Sequence, residues 1–197
     1  SKAVGEKNYE AVAYNNIGLS YDVKGDFQKA LSTYQKSLAI KEELGDKKGM
    51  ASTYNNIGII YKSLGNMAMS LQYHQMCLAL HKETGDTNSL GSTYNNIGII
   101  YKVQKNYQKA MEYYLLGLEK RKQENDIKGI AGSFTNIANL FYEKEQYDSS
   151  LHYHKKSLEI HQNGNDLQGI AGSYGNMAGL HHALNEDDKA IELFNKS

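Results

Sequence analysis

The five-residue sequence YNNIG occurs at residues 14–18, 54–58 and 94–98, so the same block returns every 40 residues. Degenerate copies continue the series as FTNIA at residues 134–138 and YGNMA at residues 174–178. A fixed period of about 20–50 residues is typical of a stacked repeat array. Such an array grows by adding repeats and has no single central core. The sequence therefore predicts a modular binding surface rather than the core of an enzyme.

The period predicts one array over residues 1–197. Its five repeats cover residues 6–45, 46–85, 86–125, 126–165 and 166–197. Residues 1–4 align with the end of a helix in this register, so we expect the chain to come from a longer protein. Residue 197 falls inside the second helix of the fifth repeat.

Composition excludes several classes of protein. The 22 Lys and Arg residues balance the 22 Asp and Glu residues, which gives no basic face for nucleic acid. No apolar run approaches the ~20 residues of a membrane span, and no secretion signal opens the chain, so we expect a cytoplasmic location. A single cysteine, Cys77, excludes an intrachain disulfide and a cysteine zinc cluster. The absence of proline favours a chain that is helical almost throughout.

Each repeat begins with a residue pair that is typical of a turn between helices. Gly45 tolerates the left-handed conformation that ends a helix, and Asp46 can cap the next helix. The pair recurs as Gly5-Glu6, Gly85-Asp86, Asn125-Asp126 and Asn165-Asp166. Asparagine is the usual substitute for glycine in that conformation, so the exchange supports a left-handed turn.

The second repeat predicts two helices of about 17 residues. The first runs from Lys48 to Leu64, and its apolar stripe is Ala51, Tyr54, Ile57, Tyr61 and Leu64. Glycine costs ~1 kcal/mol in a helix interior, so the recurrence of Gly58 at 40-residue steps predicts a close approach between helices. The second helix runs from Met67 to Thr84. Its inward residues are predicted to be Ser70, Leu71, His74, Cys77, Leu78 and, in part, His81.

These positions resemble the tetratricopeptide repeat. In the first repeat the matching residues are Tyr14, Ile17, Gly18, Tyr21, Ala30, Tyr34 and Ser37, and in the third they are Tyr94, Ile97, Gly98, Tyr101, Ala110, Tyr114 and Gly117. The resemblance implies an all-α, right-handed α-solenoid whose first helices line the concave side. The 40-residue period is longer than usual and is similar to that of Pins-type spindle-orientation adaptors and some bacterial tetratricopeptide regulators. The usual proline near the end of the second helix is missing, so we expect that helix to continue for another turn.

The two asparagines of each block lie outside the apolar stripe. The second is present in all five repeats as Asn16, Asn56, Asn96, Asn136 and Asn176, and the first in three as Asn15, Asn55 and Asn95. A primary amide both donates and accepts hydrogen bonds, so this ladder can grip a peptide backbone about every third residue. In the alternative interpretation the amides bond to the backbone of the next repeat and only hold the repeats together. The resemblance implies that the amides bind a peptide, since the corresponding asparagines of Pins-type adaptors look out over the peptide groove.

Neighbouring residues on the first helices would supply specificity. The predicted peptide-binding groove consists of Asn15, Asn16, Leu19, Asn55, Asn56, Ile59, Lys62, Asn95, Asn96, Ile99, Lys102, Asn136, Asn139 and Asn176. It is expected to be partly apolar with two lysines early in the array, and polar and shallow in the last two repeats. Glycines such as Gly175 and Gly179 would let a ligand approach the backbone, or mark a weakly helical terminal repeat, which we favour. The lysine-and-asparagine clamp of chaperone-tail adaptors is not expected, because its first two positions match Asn15 and Leu19.

The histidines and Cys77 are not predicted to form a metal or catalytic site. His74 and His154 occupy the position that Tyr34 and Tyr114 hold in other repeats, which indicates an aromatic core position. His81 and His161 alternate with Lys41 and Arg121, which indicates a solvated face. The position of Cys77 elsewhere holds serine or glycine, which indicates a small packing position. No phosphate loop or HExxH sequence is present.

We therefore expect a non-catalytic protein-interaction scaffold that binds a peptide segment and needs no cofactor or metal. The alternative is a sensory or regulatory module of a larger bacterial signalling protein, such as a kinase, cyclase or transcription regulator. Nothing in the chain argues for an enzyme. Self-association through the terminal repeats is a further possibility, since exposed ends of repeat arrays stack on one another.

Overall fold

The computed structural model of the chain describes residues 2–86 and 89–197, with side chains from residue 4 onwards. Within these ranges the chain forms ten helices and no strand, which confirms an all-α helical repeat solenoid. The helices are α1 (Lys2–Val23), α2 (Phe27–Leu44), α3 (Lys47–Ser63), α4 (Met67–Thr84), α5 (Leu90–Val103), α6 (Tyr107–Gln123), α7 (Ile127–Glu143), α8 (Tyr147–Asn163), α9 (Leu167–Ala183) and α10 (Asp187–Phe194). The boundaries of α3 and α4 follow the expected ones closely. Leu64 was wrongly placed in the apolar stripe, because α3 ends before it and its side chain is 44% exposed.

The residues that open each repeat adopt the predicted left-handed turn. Gly45 has a φ of 65°, and Asn125 and Asn165 have φ values of 54° and 52°. The exchange of glycine for asparagine is thus explained by the backbone that both residues tolerate. The prediction was wrong at Gly5, which lies inside α1 with no break in the helix.

Aspartates cap the helices that follow these turns. The Asp46 carboxylate accepts a hydrogen bond from the Gly49 amide at 2.9 Å, and Asp126 accepts one from Gly129 at the same distance. Each bond satisfies a backbone donor that has no partner within its own helix. The sequence pair at the start of a repeat therefore both ends one helix and begins the next.

The glycine of the YNNIG block lies directly beneath an aromatic ring of the following helix. A Cβ atom on Gly18 would lie 2.6 Å from Cε1 of Tyr34, and one on Gly58 would lie 2.8 Å from Cε1 of His74. Both rings are fully buried. The close approach predicted from the recurring glycine is confirmed, and its cause is the ring that lies over the glycine backbone.

Stacked aromatic rings join the two helices of a repeat, and the sequence analysis did not single out the partner on the second helix. A tyrosine early in the second helix stacks on an aromatic residue near the end of the first, with ring centroids about 5.4 Å apart. The stacked pairs are Tyr61–Tyr73, Tyr101–Tyr113 and Phe141–Tyr153. Offset stacking of this kind is worth ~1 kcal/mol beyond the burial of the rings.

The chain divides into two compact units, residues 1–100 and 101–197. Helices α1–α4 lie in the first unit and α6–α10 in the second, while α5 crosses the division. The extent of a single array of five repeats stays a prediction.

The basic residues near the end of the second helices are buried, contrary to the predicted solvated face. Lys41, His81 and Arg121 are only 5%, 6% and 8% exposed, and His161 is half-buried. The prediction was wrong because it considered only the charge of these side chains and not their long apolar stems. A long basic side chain can bury its stem and still place its head on polar partners.

Those partners lie in the first turn and a half of the next helix. The Lys41 ammonium donates to the backbone oxygen of Gly49 at 3.1 Å and to the hydroxyl of Thr53 at 2.7 Å. Arg121 makes the equivalent two contacts in its own unit, at 2.9 and 2.7 Å. The two histidines instead contact the aspartate of the turn. These side chains tie each repeat to the following one.

Replacing Arg121 tests this link between repeats. Arg121→Ala should lower the free energy of unfolding of the second unit by about 1 kcal/mol, because the bonds to Gly129 and Ser133 are lost. The loss is modest because burial disfavours the charge, as the lowered pKa of Arg121 indicates. Arg121→Lys should be nearly neutral, since lysine already fills this position in the first repeat. Urea unfolding followed by circular dichroism measures both, and equal stability of Arg121→Ala and the exposed control Lys122→Ala would contradict the link.

Candidate functional site

The candidate site in the first unit is a row of six amides on the first helices, here called the amide row. It consists of Asn15 and Asn16 on α1, Asn55 and Asn56 on α3, and Asn95 and Asn96 on α5. Asn16 is exposed, Asn95 is 9% exposed, and the other four are half-buried. The 40-residue period therefore brings the predicted amides together, one pair per helix.

Amides of successive repeats bond to one another. The Asn56 amino group donates to the Oδ1 atom of Asn15 at 3.5 Å, and the Asn96 amino group donates to Oδ1 of Asn55 at 3.3 Å. The first asparagine of one repeat thus accepts a bond from the second asparagine of the next. Both bonds are long and half-buried, so each contributes only ~0.5 kcal/mol. Asn56 and Asn96 thus connect repeats through side-chain oxygens, whereas the alternative interpretation expected bonds to the backbone of the next repeat.

The bond between Asn56 and Asn15 uses only part of the hydrogen-bonding capacity of these two amides. The Oδ1 atom of Asn56 and the amino group of Asn15 make no hydrogen bond within the described residues, and the same holds for the side chain of Asn16. A primary amide has two donor hydrogens and an oxygen with two lone pairs. The pairing fixes the orientation of each side chain and leaves polar atoms that a ligand backbone can satisfy.

Apolar side chains accompany the amides on the same helices. Leu19 is 41% exposed, whereas Ile59 and Ile99 are half-buried. The residues that follow the two isoleucines, Ile60 and Ile100, are fully buried. The face beside the amide row is therefore partly apolar, as the sequence predicted.

The two predicted groove lysines differ in their surroundings. Burial lowers the pKa of Lys62 while the Asp22 carboxylate raises it, and burial raises the pKa of Asp22 against the opposing charge of Lys62. The opposite charges of Asp22 on α1 and Lys62 on α3 therefore influence each other, and burial disfavours both. Lys102 already forms an ion pair with Glu143, with Nζ 2.9 Å from Oε1. A ligand anion would meet a less neutralised charge at Lys62 than at Lys102.

The amides of the second unit are arranged differently. Asn136 and Asn139 are half-buried and Asn176 is exposed. Thr135 replaces the first asparagine of the block, and its hydroxyl lies 3.0 Å from that of Ser157. No asparagine oxygen is thus available to pair with Asn176 as Asn15 pairs in the first unit.

An open, polar cavity of about 200 Å³ lies beside Asn176. Its lining comes from α7, α8 and α9 and consists of Asn139, Tyr142, His154, Gly175, Asn176 and Gly179. A Cβ atom on Gly175 or Gly179 would meet no atom within 4 Å, so these glycines leave the space open. Helix α9 runs without a break from Leu167 to Ala183, so the glycines do not mark a weakly helical segment.

The core interpretation of His74 and His154 is confirmed. Their rings are 0% and 2% exposed, and burial lowers the pKa of each to about 4, with Lys62 adding to the effect at His74. Cys77 is fully buried, lies 3.5 Å from the Thr93 hydroxyl, and has its pKa raised by burial. Its thiol occupies the small packing position that the sequence predicted.

The described residues contain neither a metal-ligand cluster nor a membrane-spanning helix. No three or more His, Cys, Asp and Glu side chains there converge as metal ligands would. Over the same part of the chain, every helix is too short or too polar to cross a bilayer.

Comparison with protein families gives a match over most of the chain. Tetratricopeptide repeat family models match residues 11–44, 49–123 and 129–197. No curated protein sequence matches the chain.

Solved structures with the same fold have diverged in sequence. BtubC (BKLC) from P. vanneervenii is 19% identical with a TM-score of 0.79, and the match covers 98% of this chain and 87% of that one. A Rap protein complexed with Competence and Sporulation Factor is 18% identical with a TM-score of 0.84, covering 95% and 52% of the two chains. The Rap conjugation gene regulator of plasmid pLS20, in complex with the Phr* peptide, is 14% identical with a TM-score of 0.79, covering 93% and 51%. This chain therefore spans about half the length of the two Rap proteins.

Proposed function

Because the chain belongs to the tetratricopeptide repeat family, we propose that it is a non-catalytic protein-interaction scaffold that binds an extended peptide across the first helices of its repeats. In the first unit the proposed contacts are the amide row with Leu19, Ile59, Ile99 and Lys62. In the second unit they are Lys102, Asn136, Asn139 and Asn176.

The observation that carries this proposal is the partial use of Asn15 and Asn56 within the amide row. Side chains that served only to connect repeats would bury their whole hydrogen-bonding capacity against the neighbouring helix. Asn56 instead donates one hydrogen to Asn15 and keeps its oxygen unbonded within the described residues. An extended peptide has a backbone N–H and C=O at every residue and gains affinity where such groups are already oriented.

The remaining chemistry agrees with a binding role. Cys77 is fully buried with its pKa raised, so its thiol is not poised as a nucleophile. His74 is likewise fully buried, and its ring nitrogens make no hydrogen bond to the described residues. A peptide ligand is also the kind of partner present in the complex of the pLS20 Rap regulator, which shares this fold.

Peptide selection tests the proposal. Linear 12-residue peptides selected from a random library on the wild-type protein should bind about tenfold more weakly to the Asn56→Ala variant, because a hydrogen bond to an oriented amide is worth ~1 kcal/mol or more. Isothermal titration measures the affinity, and circular dichroism checks that helicity is unchanged.

The matched control for this experiment is Gln75→Ala, which removes an exposed amide from α4 rather than from a first helix. Its affinity should equal that of the wild type. Failure to enrich any peptide, or equal affinity of the Asn56→Ala and wild-type proteins, would reject the amide row as the peptide site.

A second candidate function is a sensory or regulatory module within a larger signalling protein. The two Rap proteins favour it, since they share the fold and this chain spans only about half of their length. The sequence of the parent gene decides this point: a catalytic or DNA-binding domain beside the repeats would support the module, and their absence would count against it.

A further inference from the structure

The cavity of the second unit is lined by a buried histidine that makes no hydrogen bond to any described residue. His154 lies in the lining of this cavity with only 2% of its surface exposed. Its Nδ1 atom is fully buried and unbonded, and Nε2 makes no hydrogen bond to a described residue either. Nε2 is the ring nitrogen that is not fully shielded. A ligand that supplies a hydrogen-bond partner to it satisfies a polar group that is otherwise left unpaired in a largely buried site.

The walls of the cavity carry further unused polar groups. Asn139 on α7 and Asn176 on α9 make no side-chain hydrogen bond to any described residue, and both line the cavity. Tyr142 contacts Tyr147 through its ring, with centroids 5.7 Å apart. Amide, phenol and imidazole groups therefore surround one space, and no charged side chain lines it.

The space itself results from two substitutions within the repeat pattern. Gly179 stands where the second and third repeats have Ile59 and Ile99, and Gly175 stands where they have asparagine. The isoleucines are half-buried, so a side chain normally fills this position between first helices. In the fifth repeat that side chain is missing, and the space that His154 helps to line stays open.

The lining restricts the chemistry of an occupant. The pKa of His154 is lowered to about 4 by burial, so the ring is neutral at physiological pH and offers one donor and one acceptor. A carboxylate offers only acceptors and an ammonium only donors, and either would lose its hydration without an opposite charge nearby. An uncharged group that donates and accepts satisfies the imidazole and both amides together.

We propose that this cavity is a specificity subsite that takes one uncharged hydrogen-bonding side chain of a bound peptide, with the carboxamide of glutamine as the fullest match. The cavity volume of about 200 Å³ exceeds the ~30 Å³ share of one water several times, which leaves room for a side chain of that size. This inference rests on the proposed function, since the side chain would belong to a peptide that lies along the first helices.

Small neutral and charged probes test the subsite without a known peptide. Protein labelled with ¹⁵N-histidine is titrated with propionamide, propionate and propylammonium, and the His154 signals are assigned with the His154→Gln variant. Propionamide should give a saturable shift at the ring nitrogens of His154, and the two charged probes should give at least about fivefold weaker binding. Gly179→Ile should abolish the propionamide response, because it restores the side chain that closes this position in other repeats.

The matched control is Gly172→Ile, which places the same residue on the same helix at an exposed position with no neighbour within 4 Å. It should leave the response intact. No saturable shift at His154, an equal shift in Gly179→Ile, or equal binding of propionate would each overturn the subsite.

Selected peptides separate this inference from the proposed function. Peptides selected on the wild-type protein should be rich in glutamine or asparagine at one position, and this preference should disappear when selection is repeated on Gly179→Ile. Binding that survives with no such preference would overturn the subsite while the amide row stands. A propionamide response with no peptide binding would instead reject the proposed function, and with it the assignment of the cavity to a peptide.

Discussion

Acidification from pH 6.5 to pH 4 is expected to destabilise the first unit by about 3 kcal/mol through His74 alone. The folded-state pKa of His74 is about 4, mainly because burial disfavours the imidazolium and also because Lys62 lies near, whereas the ordinary pKa of histidine is 6.5. As the pH falls, the unfolded chain therefore binds a proton before the folded chain does. A shift of one pKa unit corresponds to about 1.4 kcal/mol, and the loss is complete once the pH is below the folded-state value.

The variant His74→Tyr isolates this contribution. Tyrosine fills the same position as Tyr34 and Tyr114 and does not titrate in this range, so the variant should keep about 3 kcal/mol that the wild type loses between pH 6.5 and 4. Urea unfolding at several pH values measures the difference, and carboxylate titration cancels between the two proteins. The control His152→Gln, at an exposed position, should follow the wild type. Parallel stability curves for His74→Tyr and the wild type would show that His74 is not the cause. His154, whose folded-state pKa is also about 4, should give the second unit the same acid sensitivity.

The same alanine substitution at two glycines is expected to change stability in opposite directions. Gly18→Ala should cost about 2 kcal/mol net, because the added methyl group would lie 2.6 Å from a ring carbon of Tyr34 that is buried and cannot move away. Gly172→Ala should instead stabilise by about 0.5–1 kcal/mol, because alanine favours the helix and its methyl group meets nothing within 4 Å. Thermal and urea unfolding of both variants measure the sign directly.

The chain itself supplies a rescue for the destabilising variant. In the fourth repeat Ala138 stands at the position of Gly18, and the smaller ring of His154 stands at that of Tyr34. The double variant Gly18→Ala/Tyr34→His should therefore be more stable than the sum of the two single effects predicts, with a coupling of about 1 kcal/mol. Additive effects would show that the glycine and the ring do not meet. A loss of stability in Gly172→Ala would contradict the assignment of that glycine to open space.

The features of this fold that recur every 40 residues could be predicted from the sequence. Each repeat offers an independent observation of the same position, so Gly45, Asn125 and Asn165 together indicate a left-handed turn that no single residue establishes. The same comparison placed His74 and His154 in an aromatic core position, which the structure confirms. Local rules of capping, helix periodicity and turn conformation suffice for such features.

Side chains that bond to a neighbouring repeat were predicted wrongly from the sequence. Lys41 and Arg121 were assigned to solvent from their charge, yet their heads bond to the first turns of the next helix. The recurrence of a basic residue at one position of four repeats was the signal that could have found them. For Leu64 the error was the opposite: it was predicted to be buried but is exposed, because α3 ends before it.

The candidate site likewise has features that the sequence predicted and others that only the tertiary structure shows. The sequence alone determined that five repeats of two helices follow one another and that two asparagines per block lie outside the apolar stripe. Tertiary structure decided how those amides are used. Asn56 on α3 bonds to Asn15 on α1, whereas Asn176 has no such bond among the described residues, where Thr135 stands in place of the asparagine and its hydroxyl lies 3.0 Å from that of Ser157. It also decided that Gly175 and Gly179 open a cavity over His154. Helices form from interactions between residues three and four apart, which the sequence displays, whereas hydrogen-bond partners and empty space depend on which side chains meet from about 40 residues away.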